Sequence, residues 1–406
     1  KQYILVFFHV CEFRNYYLCI MVSKGKNGKR TRVLFLIEAL GEGGAEKILH
    51  TLVSNINRSK FEVTVVTIAK AGIYANSIPE IVDHFKYIVN YNNHFVHDLF
   101  NKLVYKLIYQ FLPSRWVYRL FIPKNHDIEC AFCEGIATRI ISASSNKDSR
   151  KLAWVHTDLV YNHWTRIAYK NDDEENACYS KFDTVACVSR TALDSLKTLY
   201  PTLHNLKIVY NPIDESLIRK MASAHSVDRK AGRINMITIG RLVQQKGYDR
   251  LIPILGELKK QGLQFFLRIL GTGTQEQLLK ELILKYGLTQ YIELTGFKEN
   301  PYPYLAASDL FVCSSRSEGY STAVTEALIL GLPVVTTECS GMKELLGDNN
   351  EWGLVVPNDE HSLQRALQAV ISNPNTLQDL KNKAMARSHD FSLKKLMTAI
   401  ENTLLG

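Results

Sequence analysis

Two glutamates, Glu318 and Glu326, stand eight positions apart in the stretch EGYSTAVTEALILG, Glu318 to Gly331. Glu326 lies among Ala323, Val324, Ala327, Leu328, Ile329 and Leu330. A carboxylate there either finds a partner or incurs a desolvation cost of roughly several kcal/mol. Taken alone, the pattern also fits a glutamate that leaves through the polar sector of Ser321, Thr322 and Thr325. A second set of charges, Arg241 and Lys246 in GRLVQQKG, directly follows a strand-like run. A guanidinium fork and an ammonium at that place can neutralise a diphosphate, both when it is bound and as it departs with added charge. As an isolated pair they read equally well as solvated loop cations.

Three glycine turns have the same placement. GEGGAEK, Gly41 to Lys47 with Gly43 and Gly44 at its centre, precedes a helical period, where glycine lets a ligand come close to the backbone and the helix amino terminus offers N–H groups to an anion. It is not the dinucleotide fingerprint G-x-G-x-x-G, because Glu46 holds the third glycine's place, and it lacks the GKS or GKT of a P-loop. A tight strand-to-helix turn would account for part of it. LGTGT, containing Gly271, and TGF, containing Gly296 and Phe297, follow two further strand-like runs. His156 in WVHTD closes another, KLAWVH; a lone histidine of this kind is as compatible with a structural role as with a ligand-facing one.

These turns are punctuation in a long alternation. RVLFLIEAL is a β run, Ala45, Ile48, Leu49, Leu52, Val53 and Ile56 recur at helical spacing, and FEVTVVTIA is β again. Strands follow near Ile128 to Cys133, Lys151 to His156, Thr184 to Ser189 and Lys207 to Tyr210, and Asn211-Pro212 closes this half. The second half repeats the scheme with NMITIGRL, FFLRILG, IELTGF, DLFVCSS, the helix of Glu326 and PVVTTE. Alternation of this kind predicts an α/β fold of two doubly wound, Rossmann-like parallel sheets that bind ligands at the carboxyl ends of their strands. The predicted division is an extension at 1–20, a first domain at 21–212, a linker at 213–233, a second domain at 234–385 and a C-terminal helix at 386–406 that crosses back to the first domain. The linker, IDESLIRKMASAHSVDRKAGR, is polar without a sustained period.

Composition agrees with two domains. The chain has 406 residues, 46% hydrophobic and 22% charged, which excludes a disordered or fibrous protein. Its formal charge of +9 suits an anionic membrane surface, a nucleotide diphosphate or nucleic acid. The single CxxC, Cys130 to Cys133, lies in an apolar run and reads as reduced core thiols rather than a zinc or redox site. The run Asp172-Asp173-Glu174-Glu175 reads as a solvated acidic loop. Residues 1–20 hold no span of ~18 uninterrupted apolar residues, and Met21 reads as a start. Between Asn92 and Lys124, Phe95, Phe100, Tyr105, Tyr109, Trp116, Tyr118 and Phe121 interleave with Lys102, Lys106, Arg115 and Arg119. Such a segment suits a membrane interface or a helical excursion packed on its own domain.

The set GGAEK, WVHTD, GRLVQQKG, LTGFKENPYPYLAASDLFVCSSRSEG and E-x7-E followed by GLPVV resembles the GT-B retaining glycosyltransferases of family 4. The resemblance covers essentially everything after Met21 and is strongest from Gly240 to Pro357. It implies that Glu326 accepts hydrogen bonds from the ribose hydroxyls of a sugar nucleotide, so that the partner of this carboxylate is the ligand. It further implies that Glu318 lies near the donor sugar, that the backbone of Gly319, Tyr320 and Ser321 meets sugar or phosphate, that Arg241 and Lys246 are the diphosphate pair and that His156 lies beside the donor sugar. Catalytic roles would fall to His156, Glu318, Arg241 and Lys246, and the donor site would add Gly43, Gly44, Gly271, Gly296 and Phe297. No cofactor and no metal is expected, since no D-x-D occurs and the nucleotide diphosphate sugar, a UDP-sugar on this reading, is itself the substrate. The expected partners are that donor, a glycan or polyprenyl-linked acceptor and an anionic membrane surface touched from the cytoplasmic side, with no nucleic acid. A sugar-nucleotide epimerase of the same fold and a non-catalytic nucleotide-binding or membrane adaptor remain the alternatives.

Overall fold

A computed structural model of the chain describes residues 30–41, 43–90 and 95–406. The extension at 1–20 and the start at Met21 lie outside the described residues. The first sheet contains β1 (Thr31–Ile37), β2 (Phe61–Lys70), β3 (His84–Asn90), β4 (Ile128–Ala131), β5 (Arg150–Val155), β6 (Thr184–Cys187) and β7 (Leu206–Ile208), in the order β3-β2-β1-β4-β5-β6-β7. The second contains β8 (Ile234–Ile239), β9 (Phe265–Leu270), β10 (Ile292–Gly296), β11 (Leu310–Cys313), β12 (Val334–Thr337) and β13 (Leu354–Val356), in the order β10-β9-β8-β11-β12-β13. Every pairing is parallel. Parallel strands covered by helices on both faces are apolar throughout, and Val33 to Ile37 and Phe265 to Leu270 are accordingly buried. Strand order reverses between β1 and β4 in one sheet and between β8 and β11 in the other, and an open sheet has its ligand crevice at such a reversal.

β3 and β13 are absent from the expected strands. β3 is an edge strand whose burial is interrupted at Lys86, and β13 has three residues, too few for a period to appear. Within the expected linker Glu215–Ala222 is a helix capped by Asp214. It packs on the helices Tyr302–Ala306 and Thr322–Ile329 of the second domain. Eight residues with one fully buried position, Ile218, show no sustained period, and tertiary packing supplies the stability that pattern does not. The acidic run is likewise no solvated loop. It opens the helix Asp172–Tyr179, where negative charge is favoured, and Glu175 is fully buried, accepting from Thr165 Oγ1 at 2.8 Å and paired with His163 at 2.9 Å. The final helix, Leu393–Leu405, packs on the first domain: Glu401 accepts from the Asn57 amide at 3.0 Å and pairs with Lys60 at 3.3 Å. Cys130 and Cys133 are free, and burial pushes both thiols up in pKa.

Candidate active site

Both reversals open onto one interdomain cleft. From the first domain come the loop after β1 with the helix Gly44–Asn55, Glu134 just after β4, and His156 just after β5. From the second come Arg241 after β8, Gly271 after β9, Gly296 ending β10, and the loop after β11 that leads into the helix Thr322–Ile329. Close approach explains one glycine directly. A Cβ on Gly319 would lie 1.7 Å from the carbonyl oxygen of His156, so only glycine allows the two domains to meet here. Gly271 has φ of 137°, and a Cβ there would lie 2.1 Å from the carbonyl of Gly240. Ser321 caps the helix Thr322–Ile329 at Val324 N, 3.4 Å, while the Tyr320 ring leaves the cleft to pack on Tyr210 with centroids 5.5 Å apart.

Each glutamate of the pair holds a lysine. Glu318, 8% exposed, accepts from Lys246 Nζ at 2.7 Å and from Ser315 Oγ at 2.6 Å on the same oxygen. Burial alone would push the Lys246 ammonium down, but Glu318 more than offsets this and holds its pKa above the ordinary lysine value. Glu326, 4% exposed, is ion-paired with Lys47 of the opposite domain. Tyr302 also donates to Glu326 Oε1 at 3.5 Å, and the Lys47 ammonium lies 5.1 Å from the Tyr302 ring centre. Burial again opposes the charge on Lys47, and Glu326 again outweighs it. In this structure the partner of Glu326 is therefore a protein cation, where the sequence led to a ligand.

The side of the cleft around His156 is acidic. His156 Nε2 lies 2.9 Å from the carbonyl of Phe132, which can only accept, so Nε2 carries the proton. Burial lowers the pKa of this imidazole, keeping it neutral, with Nδ1 bearing a lone pair. The amide of His156 donates to Glu134 at 2.9 Å, and Trp164 Nε1 donates to the other oxygen of Glu134 at 3.3 Å. The Glu46 carboxylate folds back over Gly43, within 2.2 Å of where a Cβ would be, so the helix amino terminus is covered by its own chain. Burial raises the pKa of Glu46, and the charge of Arg241 across the cleft acts against that rise. Arg241 and Phe297 are exposed.

The loops that carry the residues singled out in the sequence follow the strand ends at this cleft, with the Tyr320 ring turned away from it, and Lys47, Glu134, Tyr302 and Arg250 were not among those residues. Lys47 had a signal: a lysine in the first turn of a helix opposes the helix dipole and therefore needs a partner. Glu134 had a weaker one, a carboxylate directly after an apolar strand. Arg250, 7% exposed, donates to the carbonyls of Ser314 at 2.9 Å and Ser315 at 2.8 Å and to Asn358 Oδ1 at 2.6 Å, bracing the loop that carries Glu318.

Two facing Rossmann-like domains with a cleft at the carboxyl ends of both sheets define the GT-B architecture. It is shared with the Anabaena protein HepE in complex with UDP and glucose, at TM-score 0.72 and 20% identity over 93% of this chain and all of that one. WaaG, described as a glycosyltransferase involved in lipopolysaccharide biosynthesis, superposes at TM-score 0.67 and 15% identity over 92% of this chain and all of that one. The model of Glycosyltransferase Family 4 matches residues 42–217, and that of Glycosyl transferases group 1 matches residues 223–387. The chain belongs to this family and is a glycosyltransferase. A Campylobacter jejuni relative, N-acetylgalactosamine-N,N'-diacetylbacillosaminyl-diphospho-undecaprenol 4-alpha-N-acetylgalactosaminyltransferase, is 29% identical over 91% of this chain and 98% of its own length.

Proposed function

We propose that this enzyme transfers a hexosyl group from a UDP-sugar, with retention of configuration, to a glycan or lipid-linked glycan acceptor in cell-surface polysaccharide assembly. The observation that carries the reading is that Lys246 after β8 pairs with Glu318 after β11, while the adjoining Gly319 meets the His156 carbonyl of the opposite domain. The UDP held by the Anabaena neighbour and the undecaprenol-linked acceptor in the name of the Campylobacter relative support the donor and acceptor classes. Glu326 receives the ribose hydroxyls, Arg241 and Lys246 take the diphosphate, and Glu318, His156 and the backbone of Gly319 to Ser321 surround the sugar. Gly43 and Gly44 face the diphosphate once Glu46 swings aside, and Gly271, Gly296 and Phe297 line the nucleoside side.

In the transfer, the bond from the anomeric carbon to the leaving phosphate oxygen breaks with its electrons going to phosphate. An acceptor hydroxyl oxygen bonds to the same face of that carbon, and its proton passes to the leaving phosphate. Arg241 and Lys246 stabilise the charge that develops, which is where a preorganised cation contributes most. Neutral His156, donating its Nε2 proton to the Phe132 carbonyl, offers Nδ1 as an acceptor to a donor-sugar hydroxyl. No metal or cofactor takes part on this reading.

The helices Phe95–Gln110 and Ser114–Phe121, with the turn between them, bury Ile108, Val117 and Tyr118 and expose Leu103, Phe111, Trp116 and Leu120 beside Lys102, Lys106, Arg115 and Arg119. This face suits peripheral contact with an anionic inner membrane surface. No helix among the described residues is long and apolar enough to cross a membrane. Acceptor-dependent release of UDP tests the function: an epimerase would turn over donor without acceptor, and a binding adaptor would not turn it over. Calorimetry with UDP on Glu326→Gln in a Lys47→Met background, where the Lys47–Glu326 ion pair no longer enters the comparison, tests the ribose assignment. Loss of one charge-assisted bond is worth roughly 1.5 to 3 kcal/mol, so affinity should fall about tenfold or more relative to Lys47→Met, and unchanged affinity would remove the assignment.

A further inference from the structure

The geometry points to Lys47 as an interdomain latch that competes with the nucleotide ribose for Glu326, so that donor binding and opening of the cleft edge are linked. Its competing role, though not the latch itself, rests on the ribose assignment above. Lys47 belongs to the helix Gly44–Asn55 of the first domain and Glu326 to the helix Thr322–Ile329 of the second, 279 residues away. The amino ends of these helices meet, since a Cβ on Gly44 would lie 3.8 Å from Thr322 Oγ1. Among the described residues, Lys47–Glu326 is the ion pair that joins the two domains at the cleft itself; Lys60–Glu401 joins them through the final helix.

Both ends of the pair favour its persistence without ligand. Glu326 is nearly closed off from solvent, and an unpaired carboxylate there would be costly. Lys47 sits at a helix amino terminus, where the dipole disfavours a cation, so Glu326 and the Tyr302 ring are what hold it in place. A ribose diol is neutral. It can replace the hydrogen bonds of the ammonium on Glu326 but not its charge, so nucleotide binding must do work against the pair. The apparent affinity is then reduced by the fraction of molecules in which the latch is open. The glutamate pair is asymmetric in this respect. Lys246 on Glu318 comes from the same domain and can shift to the diphosphate without moving the domains, whereas Lys47 can leave Glu326 only if the helix ends part or the side chain swings away.

The test uses the full chain in two measurements. Without nucleotide, hydrogen exchange of the segments 44–55 and 322–329 should be faster in Lys47→Met than in wild type and unchanged in Lys47→Arg, which keeps the pair. In calorimetry with UDP, and with ADP, GDP and CDP in parallel, Lys47→Met should bind roughly ten- to hundredfold more tightly than wild type, the range for one charge-assisted bond. Glu326→Gln should exchange faster like Lys47→Met, and adding it to Lys47→Met, where the latch is already gone, should weaken UDP binding about tenfold or more. Unchanged exchange in Lys47→Met overturns the latch. Unchanged or weaker nucleotide binding in Lys47→Met overturns the competition. If Lys47→Met/Glu326→Gln binds UDP like Lys47→Met, the ribose assignment fails, and the exchange measurement on unliganded protein still decides the latch.

Discussion

Glu326 and Glu318 are buried carboxylates whose charge is balanced by lysines, and that pairing governs what each substitution should do. Lys246→Ala and Arg241→Ala should reduce turnover more than UDP affinity, because their stabilisation grows as the diphosphate leaves. Glu318→Gln touches the sugar end and should slow transfer while leaving UDP affinity within about twofold, which calorimetry paired with turnover measures; the 2.7 Å bond to Lys246 becomes a weaker amide contact. His156 adds a pH dependence. Its folded pKa is depressed, so the unfolded chain takes up a proton below about pH 6.5 that the folded one refuses. Its contribution to stability is therefore present above that pH and lost as pH falls toward the folded value. Melting temperatures between pH 7.5 and 5.5 should decline less steeply in His156→Gln than in wild type. At this scale the sequence offered charged and imidazole residue types at strand ends, and hence Arg241, Lys246, Glu318 and His156 as candidates, and in Glu326 a carboxylate among apolar helix residues. It could not reveal the contact of Lys47 with Glu326 across 279 positions, because pairing between domains leaves no local period.

The elements that carry these residues are held by groups with no part in the chemistry. Arg250 is buried on the helix Tyr248–Lys260 and gives its donors to the loop 314–315 and to Asn358, not to a carboxylate. That loop continues into Glu318, and Ser314 Oγ donates to the carbonyl of Lys246 at 2.9 Å, so one guanidinium fixes both partners of an ion pair. Arg250→Met should strand several buried carbonyls, at about 1 to 3 kcal/mol each. Chemical denaturation should register a loss of roughly 2 kcal/mol or more, with turnover falling further than in variants of equal stability elsewhere. Arg250→Lys, a point charge without the planar fork, should restore little of either. The strong periods of β1, β2, β8 and β9 were legible because those strands are buried on both faces. Glu175 was misread because polar sequence was taken for solvent exposure, while the tertiary partners His163 and Thr165 satisfy it.

Across the whole molecule the cleft is held from both flanks. On one side Lys47 meets Glu326; on the other Ser189 Oγ donates to the carbonyl of Gly319 at 3.1 Å, Ser340 Oγ donates to Asp158 at 2.6 Å, and Glu344 accepts from Arg190 N at 2.6 Å and from Tyr210 at 2.9 Å. Glu344 lies at the amino end of the helix Arg190–Leu199, where a carboxylate is favoured by the helix dipole. Between these flanks Gly319 touches the backbone of His156, and this one contact brings the donor loop of one sheet against the strand end of the other. Gly319→Ala places a methyl group 1.7 Å from the His156 carbonyl, a distance that neither backbone can absorb without the domains separating. The residue lies in a loop of the second domain and has no helical or strand bonds to lose, so each domain should keep its own fold and the melting temperature should stay near wild type. A displacement of about 1 Å between reacting groups can cost on the order of a hundredfold in rate. Turnover should fall by about that much, while small-angle scattering reports a more open molecule and UDP, which on the proposed reading contacts mainly the second domain, still binds. A Gly319→Ala enzyme with normal turnover and an unchanged scattering profile would mean that transfer does not require the domains to meet at this point.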